Sequence, residues 1–379
     1  THHVVTTPAR FGRGALTLIM ASLSIDCLPP SAPKTGVIYQ QKGDNEVKKY
    51  AAYAIGAALV DTEITVSDHE LASLGVDKGM MTLVDEAQQA ALLEQLSDHL
   101  IQASHASGGS AGNSMIATAL FGAPTFMSCK VADDGDGDIY VRDLEASGVG
   151  HSLGDKRGKG TTGKCLVLIT PDAERSLNTY LGVSENLSTA EVDEAAIQDS
   201  DWVYLEGYLV TSPTGHAAAV KTRVIAEQHG VNTAVSFSDP GMVQFFRDQL
   251  TTMIGERVDL VFCNEAEALE WGQTDSLDEA CAAINAIARR YVVTLGARGV
   301  IVFDGVERIT LAAHTVEAVN TNGAGDMFAG AFLYGLARGE SYSRAGEFAA
   351  RAAAEVVKHF GPRLPPAAYG ALKDAFFGS

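Results

Sequence analysis

No stretch of the chain reaches the roughly twenty consecutive apolar residues that a membrane helix requires. Positive charge is also scarce: 28 Lys and Arg stand against 47 Asp and Glu, a formal net charge of −19 at pH 7. A field of that sign repels phosphate backbones and anionic lipid, which argues against nucleic-acid and membrane partners. Any phosphate ligand must then be held locally, by backbone amides, a helix end or a divalent cation. Cysteine is sparse and odd in number. Cys27, Cys129, Cys165, Cys263 and Cys281 are widely spaced and mostly set in apolar runs, a pattern expected of free thiols in a reducing cytoplasm. No internal repeat stands out, and no Gly-x-Gly-x-x-Gly lies between a strand and a helix, which leaves a dinucleotide-binding fold little support.

The start of the chain imitates a signal peptide only loosely. Arg10 and Arg13 precede an apolar stretch over 15–25, but serine and threonine interrupt it and no small-x-small cleavage site follows. Residues 1–47 read as an N-terminal extension, and 48–379 as the folded domain. In that part, short aliphatic runs bounded by glycine and proline alternate with alanine-rich stretches of helical period. Strands are expected over 52–55, 125–130, 164–170, 202–206, 232–236, 260–263, 291–295 and 300–303. Helices are expected over 86–100, 112–121, 137–147, 191–198, 217–229, 241–254, 265–271, 277–289, 326–338, 343–358 and 367–377. Strands separated by helices imply an α/β fold with a mostly parallel sheet covered on both faces. Two stretches, 62–84 and 160–181, break the rhythm and lack a helix to bury them on that sheet. They are expected to pair as a small separate sheet, either a lid over the site or an ordinary edge extension.

The most informative segment is Asn320-Thr-Asn-Gly-Ala-Gly-Asp326, followed by an unbroken small and apolar helical pattern. Glycines at 323 and 325 carry no Cβ, so amides of Gly323, Ala324 and Gly325 can converge on a ligand oxygen where a new helix adds positive potential. Asp326 beside them would be repelled by a resting phosphate and makes better sense as the base for an incoming hydroxyl. By contrast, Gly158-Lys-Gly-Thr-Thr-Gly163-Lys164-Cys165 comes within one residue of a Walker A loop. It is rejected because the loop precedes a strand and Cys165 has no hydroxyl for magnesium.

A second glycine turn, Ser107-Gly108-Gly109-Ser110, opens the helix that carries Asn113. Its glycines either let the backbone approach a sugar, with Asn113 binding hydroxyls, or merely turn the chain. Asp61 follows what reads as the end of the first strand, where a carboxylate can accept two hydrogen bonds from a vicinal diol and a cap is the competing account. Asn264 and Glu267 share one face of a new helix turn. They either hold hydrated Mg²⁺ and phosphate oxygens or cap the helix. Thr294, Gly296 and Gly299 link two strands, as a plain hairpin or as an opening for a nucleotide.

Together these residues resemble the ribokinase, or PfkB-type, family of carbohydrate and nucleoside kinases, from about residue 48 to the C-terminus. The resemblance implies a ribokinase-like three-layer α/β sandwich with a β-sheet lid. It implies ATP and Mg²⁺, Asp326 as base, Gly323, Ala324 and Gly325 as anion hole, and Asp61, Gly108, Gly109 and Asn113 as substrate ligands. Asn264, Glu267, Thr294, Gly296 and Gly299 are implied at the nucleotide and metal. Two positions depart from the pattern. Asn320 replaces an aspartate that in relatives belongs to a monovalent-cation (K⁺) site, and Ala57 replaces a common asparagine. The Ser-Gly-Gly-Ser-x-x-Asn-Ser segment and the lengthy first lid stretch resemble the nucleoside-phosphorylating branch, so adenosine is the expected acceptor. A free sugar such as ribose or fructose, and a nucleoside sensor without turnover, are the alternatives.

Overall fold

A computed structural model of the chain describes residues 48–99, 104–154 and 157–378; the extension over 1–47 lies outside them. The body is a nine-stranded sheet. From one edge to the other it runs Arg308–Leu311, Val300–Phe303, Ala288–Thr294, Val258–Asn264, Asn232–Ser236, Ser200–Glu206, Tyr50–Ile55, Thr125–Ser128 and Val149–Gly150. All neighbours pair in parallel except at the Arg308 edge, where two antiparallel strands close a meander.

Period-two alternation sorts the side chains onto two covered faces. Ala52, Ala54, Leu260, Phe262 and Val292 point to one core, shared with helices Ser110–Phe121, Ala324–Ala337 and Tyr342–Val356. Tyr53, Ile55, Val261, Cys263 and Val293 point to the other, under helices Pro213–Gln228, Arg247–Ile254, Glu265–Gly272 and Leu277–Ile287. The parallel order and both helical layers are as the sequence predicts. The single helix expected over 241–254 is instead two, Pro240–Phe245 and Arg247–Ile254, because Phe246 leaves helical geometry (φ −125°, ψ 30°) and packs against the second core.

The second sheet has five strands in the order Met81–Leu83, Arg175–Tyr180, Gly163–Ile169, Leu59–Thr65 and Ser104–Gly108. The two irregular stretches do pair: residues 59–65 lie parallel to 163–169. Three corrections follow from this sheet. Its outer face is not left bare, since helices Asp68–Ser73 and Glu86–Gln95 flank a cluster of Ile64, Val66, Leu71, Leu96, Leu166 and Leu168. The chain leaves the body after Ile55 and re-enters strand at Leu59, so Asp61 sits inside a lid strand rather than at the end of the first body strand. Finally, Ser104–Gly108, too polar to read as a strand, pairs antiparallel with Leu59–Thr65 and carries the double-glycine turn out of the lid.

Candidate active site

Helices Ser110–Phe121 and Ala324–Ala337 begin side by side. A Cβ on Gly330 would lie 2.5 Å from the Ser114 carbonyl oxygen, so glycine there permits the close approach, and Thr118 seals it by donating to the Gly330 carbonyl at 2.9 Å. One turn earlier on both helices, Asp326 meets Ser110 and Asn113. Ser110 Oγ donates to Asp326 Oδ1 at 2.7 Å, and Asn113 Nδ2 donates to Oδ2 at 3.0 Å. Burial raises the Asp326 pKa against the pull of these two bonds. Asn113 Oδ1 is buried and has no hydrogen-bond partner among the described residues. Expected as a substrate ligand, Asn113 thus also orients Asp326 with one end of its amide.

Gly323 caps the helix in the left-handed region (φ +73°), and a Cβ there would lie 2.3 Å from the Pro362 carbonyl oxygen. Of the three expected anion-hole amides, Ala324 N–H already donates to Thr321 O at 3.2 Å, a tight i to i−3 closure. That leaves the Gly323 and Gly325 N–H groups to face a ligand.

Ser110, Asn113, Gly323, Ala324, Gly325 and Asp326 line one cavity of about 850 Å³, walled by the lid sheet on one side and the strand ends of the body on the other. Asp61 and Gly109 are in it. Gly108 lies directly behind Asp61: a Cβ on it would sit 2.1 Å from Asp61 Oδ1, while Gly109, at φ +84°, passes under the Ala57 carbonyl. Gly108→Ala is therefore expected to push the Asp61 carboxylate aside and raise the acceptor KM by about 10²-fold, the cost of misplacing a ligand by an ångström. Acceptor kinetics on the purified variant check it.

Two charged residues that sequence reasoning missed complete the site. Glu206, buried at the end of its body strand, accepts from Ala57 N and Ala111 N, both at 2.7 Å, and so staples the lid connection to the second glycine turn. Arg175, on a lid strand, also faces the cavity. Burial opposes its charge, yet the acidic groups around it, Tyr208, Asp326, Glu174 and Asp239, raise its pKa. Neither carries a local motif, because each acts on groups far away in sequence.

Asn264 and Glu267 form a reciprocal capping box: Glu267 N donates to Asn264 Oδ1 at 2.9 Å, and the Glu267 carboxylate accepts from Asn264 N and Nδ2 at 2.9 and 2.7 Å. The capping account of Asn264 is therefore realised. Glu267 nonetheless lines the cavity, as does the buried Asp239, which interacts with it electrostatically. Burial pushes Glu267 up to about 7, which marks a carboxylate short of positive partners. Both fit a magnesium ion held through water, since Mg²⁺ keeps several waters and takes few protein ligands. Thr294, Gly296 and Gly299 lie at a hairpin mouth on the same cavity, near Ala350, Ala353 and Val357.

Asn320 is fully buried and its amide is engaged at both ends. Oδ1 accepts from Asn322 N at 2.8 Å, while Nδ2 donates to the Glu63 carboxylate at 3.1 and 3.2 Å. The oxygen that a monovalent cation would use already accepts one hydrogen bond.

A family profile described as pfkB family carbohydrate kinase matches residues 72–368. The chain belongs to this family. Adenosine kinase of Schizophyllum commune is 26% identical over 344 residues, covering 84% of this chain and 98% of that protein. The crystal structure of adenosine kinase from Sinorhizobium meliloti superposes with a TM-score of 0.81 at 33% identity, covering 86% of this chain and 99% of that one. A probable sugar kinase from Rhizobium etli matches with the same figures. This family member is thus a phosphotransferase with an alcohol group as acceptor, a nucleoside or sugar kinase of ribokinase-like fold, and its family implies ATP as donor, typically with Mg²⁺. Among the described residues no helix is long and apolar enough to cross a membrane.

Proposed function

We propose that the chain transfers the γ-phosphoryl group of ATP to the primary hydroxyl of adenosine, giving AMP. The observation that carries this choice is the lid wall of the cavity. Leu59, Met81, Leu83, Leu177 and Leu181 line it around Cys165 and Thr179, an apolar slot suited to a flat heterocycle and wasted on a free sugar. Below it, the Asp61 carboxylate accepts two hydrogen bonds from the ribose diol, and the unpartnered Asn113 Oδ1 accepts a third.

The acceptor hydroxyl so held points at Asp326, which takes its proton as the oxygen–phosphorus bond forms. N–H groups of Gly323 and Gly325 hold the transferring phosphoryl oxygens, and Arg175 offsets the charge that develops on them. The nucleotide lies against Thr294, Gly296 and Gly299. Magnesium near Glu267 and Asp239 would neutralise the β- and γ-phosphate oxygens. Four described cysteines are free and buried, in keeping with the reducing cytoplasm. ATP consumption across adenosine, other nucleosides, ribose and fructose tests the assignment: turnover on a free sugar alone would replace the acceptor, and adenosine binding without turnover would favour a sensor.

A pH dependence follows from the buried carboxylates. Burial first, then neighbouring charge, pushes Asp61 up to about 7, and burial likewise lifts Glu206 and Glu267 to about 7. Folded-state values above the unfolded ones mean that the native state binds these protons more tightly. The stability they contribute is complete below about pH 4 and is lost as pH rises through about 7. The unliganded protein is expected to lose thermal stability between about pH 5.5 and 8. Over the same window the acceptor kcat/KM should rise, because Asp61 binds hydroxyls as a carboxylate. Calorimetry and a pH–rate profile read the two opposite slopes.

A further inference from the structure

We infer that Glu63 is the positioning residue of the Asn320–Gly325 turn, and that its hydrogen bonds order this turn without a bound monovalent cation. On strand Leu59–Thr65, Asp61 and Glu63 share one face while Ile64 packs on the other. Asp61 looks into the cavity, and Glu63, one pleat further, is buried against two loops of the body. Its Oε1 accepts from Asn322 Nδ2 at 2.8 Å and Asn320 Nδ2 at 3.1 Å, and its Oε2 accepts from Gly361 N at 2.7 Å and Asn320 Nδ2 at 3.2 Å.

The donors arrive from both walls around Gly323. Asn320 and Asn322 lie just before it, and Gly361 precedes Pro362, whose carbonyl oxygen fills the space a Cβ on Gly323 would need. Asn320 Oδ1 in turn accepts from Asn322 N, and the Val319 and Asn320 amides donate to Val357 O at 2.8 and 3.1 Å. Thus one carboxylate, taken out of water and surrounded by N–H groups, fixes the approach to the Gly323 and Gly325 amides. Asn320 is the chemically required partner. An aspartate at 320 would set two carboxylates against each other, and the amide supplies a donor instead. The carboxylate that gathers these donors stands on the lid strand, next to the residue expected to bind the substrate diol.

The inference rests on the reading of Gly323–Asp326 as the reacting site, and the test separates the two. Wild-type protein is compared in KCl, NaCl and tetramethylammonium chloride at equal ionic strength; thermal midpoint and turnover are expected to be the same in all three. A potassium-specific rise in either would overturn the inference. Glu63→Gln, which turns an acceptor oxygen into a donor facing Asn322 or Gly361, is expected to lower kcat about 30-fold with acceptor KM within about twofold, the signature of a disturbed anion hole rather than a lost ligand. An unchanged kcat, or a change confined to KM, would overturn it. Should that variant not fold, Asn320→Asp decides: at pH 8 its thermal midpoint is expected to fall clearly below that of the wild type, and equal stability would show that no charged Glu63 faces it. Asp326→Asn is the control. Full turnover in that variant would sink the site itself, whereas a dead Asp326→Asn beside a fully active Glu63→Gln would sink only the role of Glu63.

Discussion

Asp326→Asn is expected to lower kcat by about 10³-fold, roughly 4 kcal/mol of transition-state stabilisation, while ATP and the acceptor bind nearly as before. The substitution keeps the side-chain shape. Its new amide can face Ser110, whose hydroxyl rotates from donor to acceptor, so Asn113 keeps its bond to the remaining oxygen. The helix start and both glycine turns are left in place. What disappears is the ability to take a proton at the point where the acceptor hydroxyl meets the phosphoryl group. Steady-state kinetics together with titration calorimetry separate the two quantities, and near-wild-type turnover would remove the assigned base.

Replacing Arg175 by methionine is expected to cost nearly as much, about 10²- to 10³-fold in kcat, at or just below the lower end of what a guanidinium supplies in phosphoryl transfer. Arg175 stands in a lid strand among Glu174, Asp239 and Asp326 but makes no ion pair among the described residues. A full positive charge kept without a committed partner is available to an anionic ligand. Methionine preserves the aliphatic stem that packs along the lid, so the loss should fall on turnover and on ATP-dependent steps while acceptor binding to the unliganded protein stays close to normal. A variant with intact kcat and a raised acceptor KM would reassign Arg175 to the acceptor.

How much of this was legible in the chain varies with the range of the interactions involved. Val300–Phe303 falls where predicted because it is an apolar run bounded by turn residues, and the Asn320–Asp326 turn is found from its glycines. Asp61 was placed on the wrong sheet because Gly56, Ala57 and Ala58 continue an apolar run without any local sign that the chain changes layer. Ser104–Gly108 has no alternation to betray a strand; its partner at 59–65 supplies that. Phe246 breaks a helix for the sake of a tertiary contact. Glu206, Ser110 and Glu63 are invisible for the same reason: each matters through atoms brought from 95 or more positions away, as with Glu206 and Ala111 or Glu63 and Asn320. The sequence reading that survives best is the one resting on backbone geometry, where glycine is needed for itself. Side-chain roles that depend on which loops meet had to wait for the fold.

The lid is woven from three separated stretches of chain, 59–83, 104–108 and 163–180, and its central pairing joins residues 59–65 to 163–169. Closing it spans about a hundred residues, from 59 to 163, a far larger loop-closure cost than that of the hairpin joining 163–169 to 175–180. The same weave constrains anyone wishing to redirect the protein to another acceptor. Exchanging a single segment with a relative would leave one side of the ladder in a foreign register, and only a concerted transplant of all three threads would keep the slot intact.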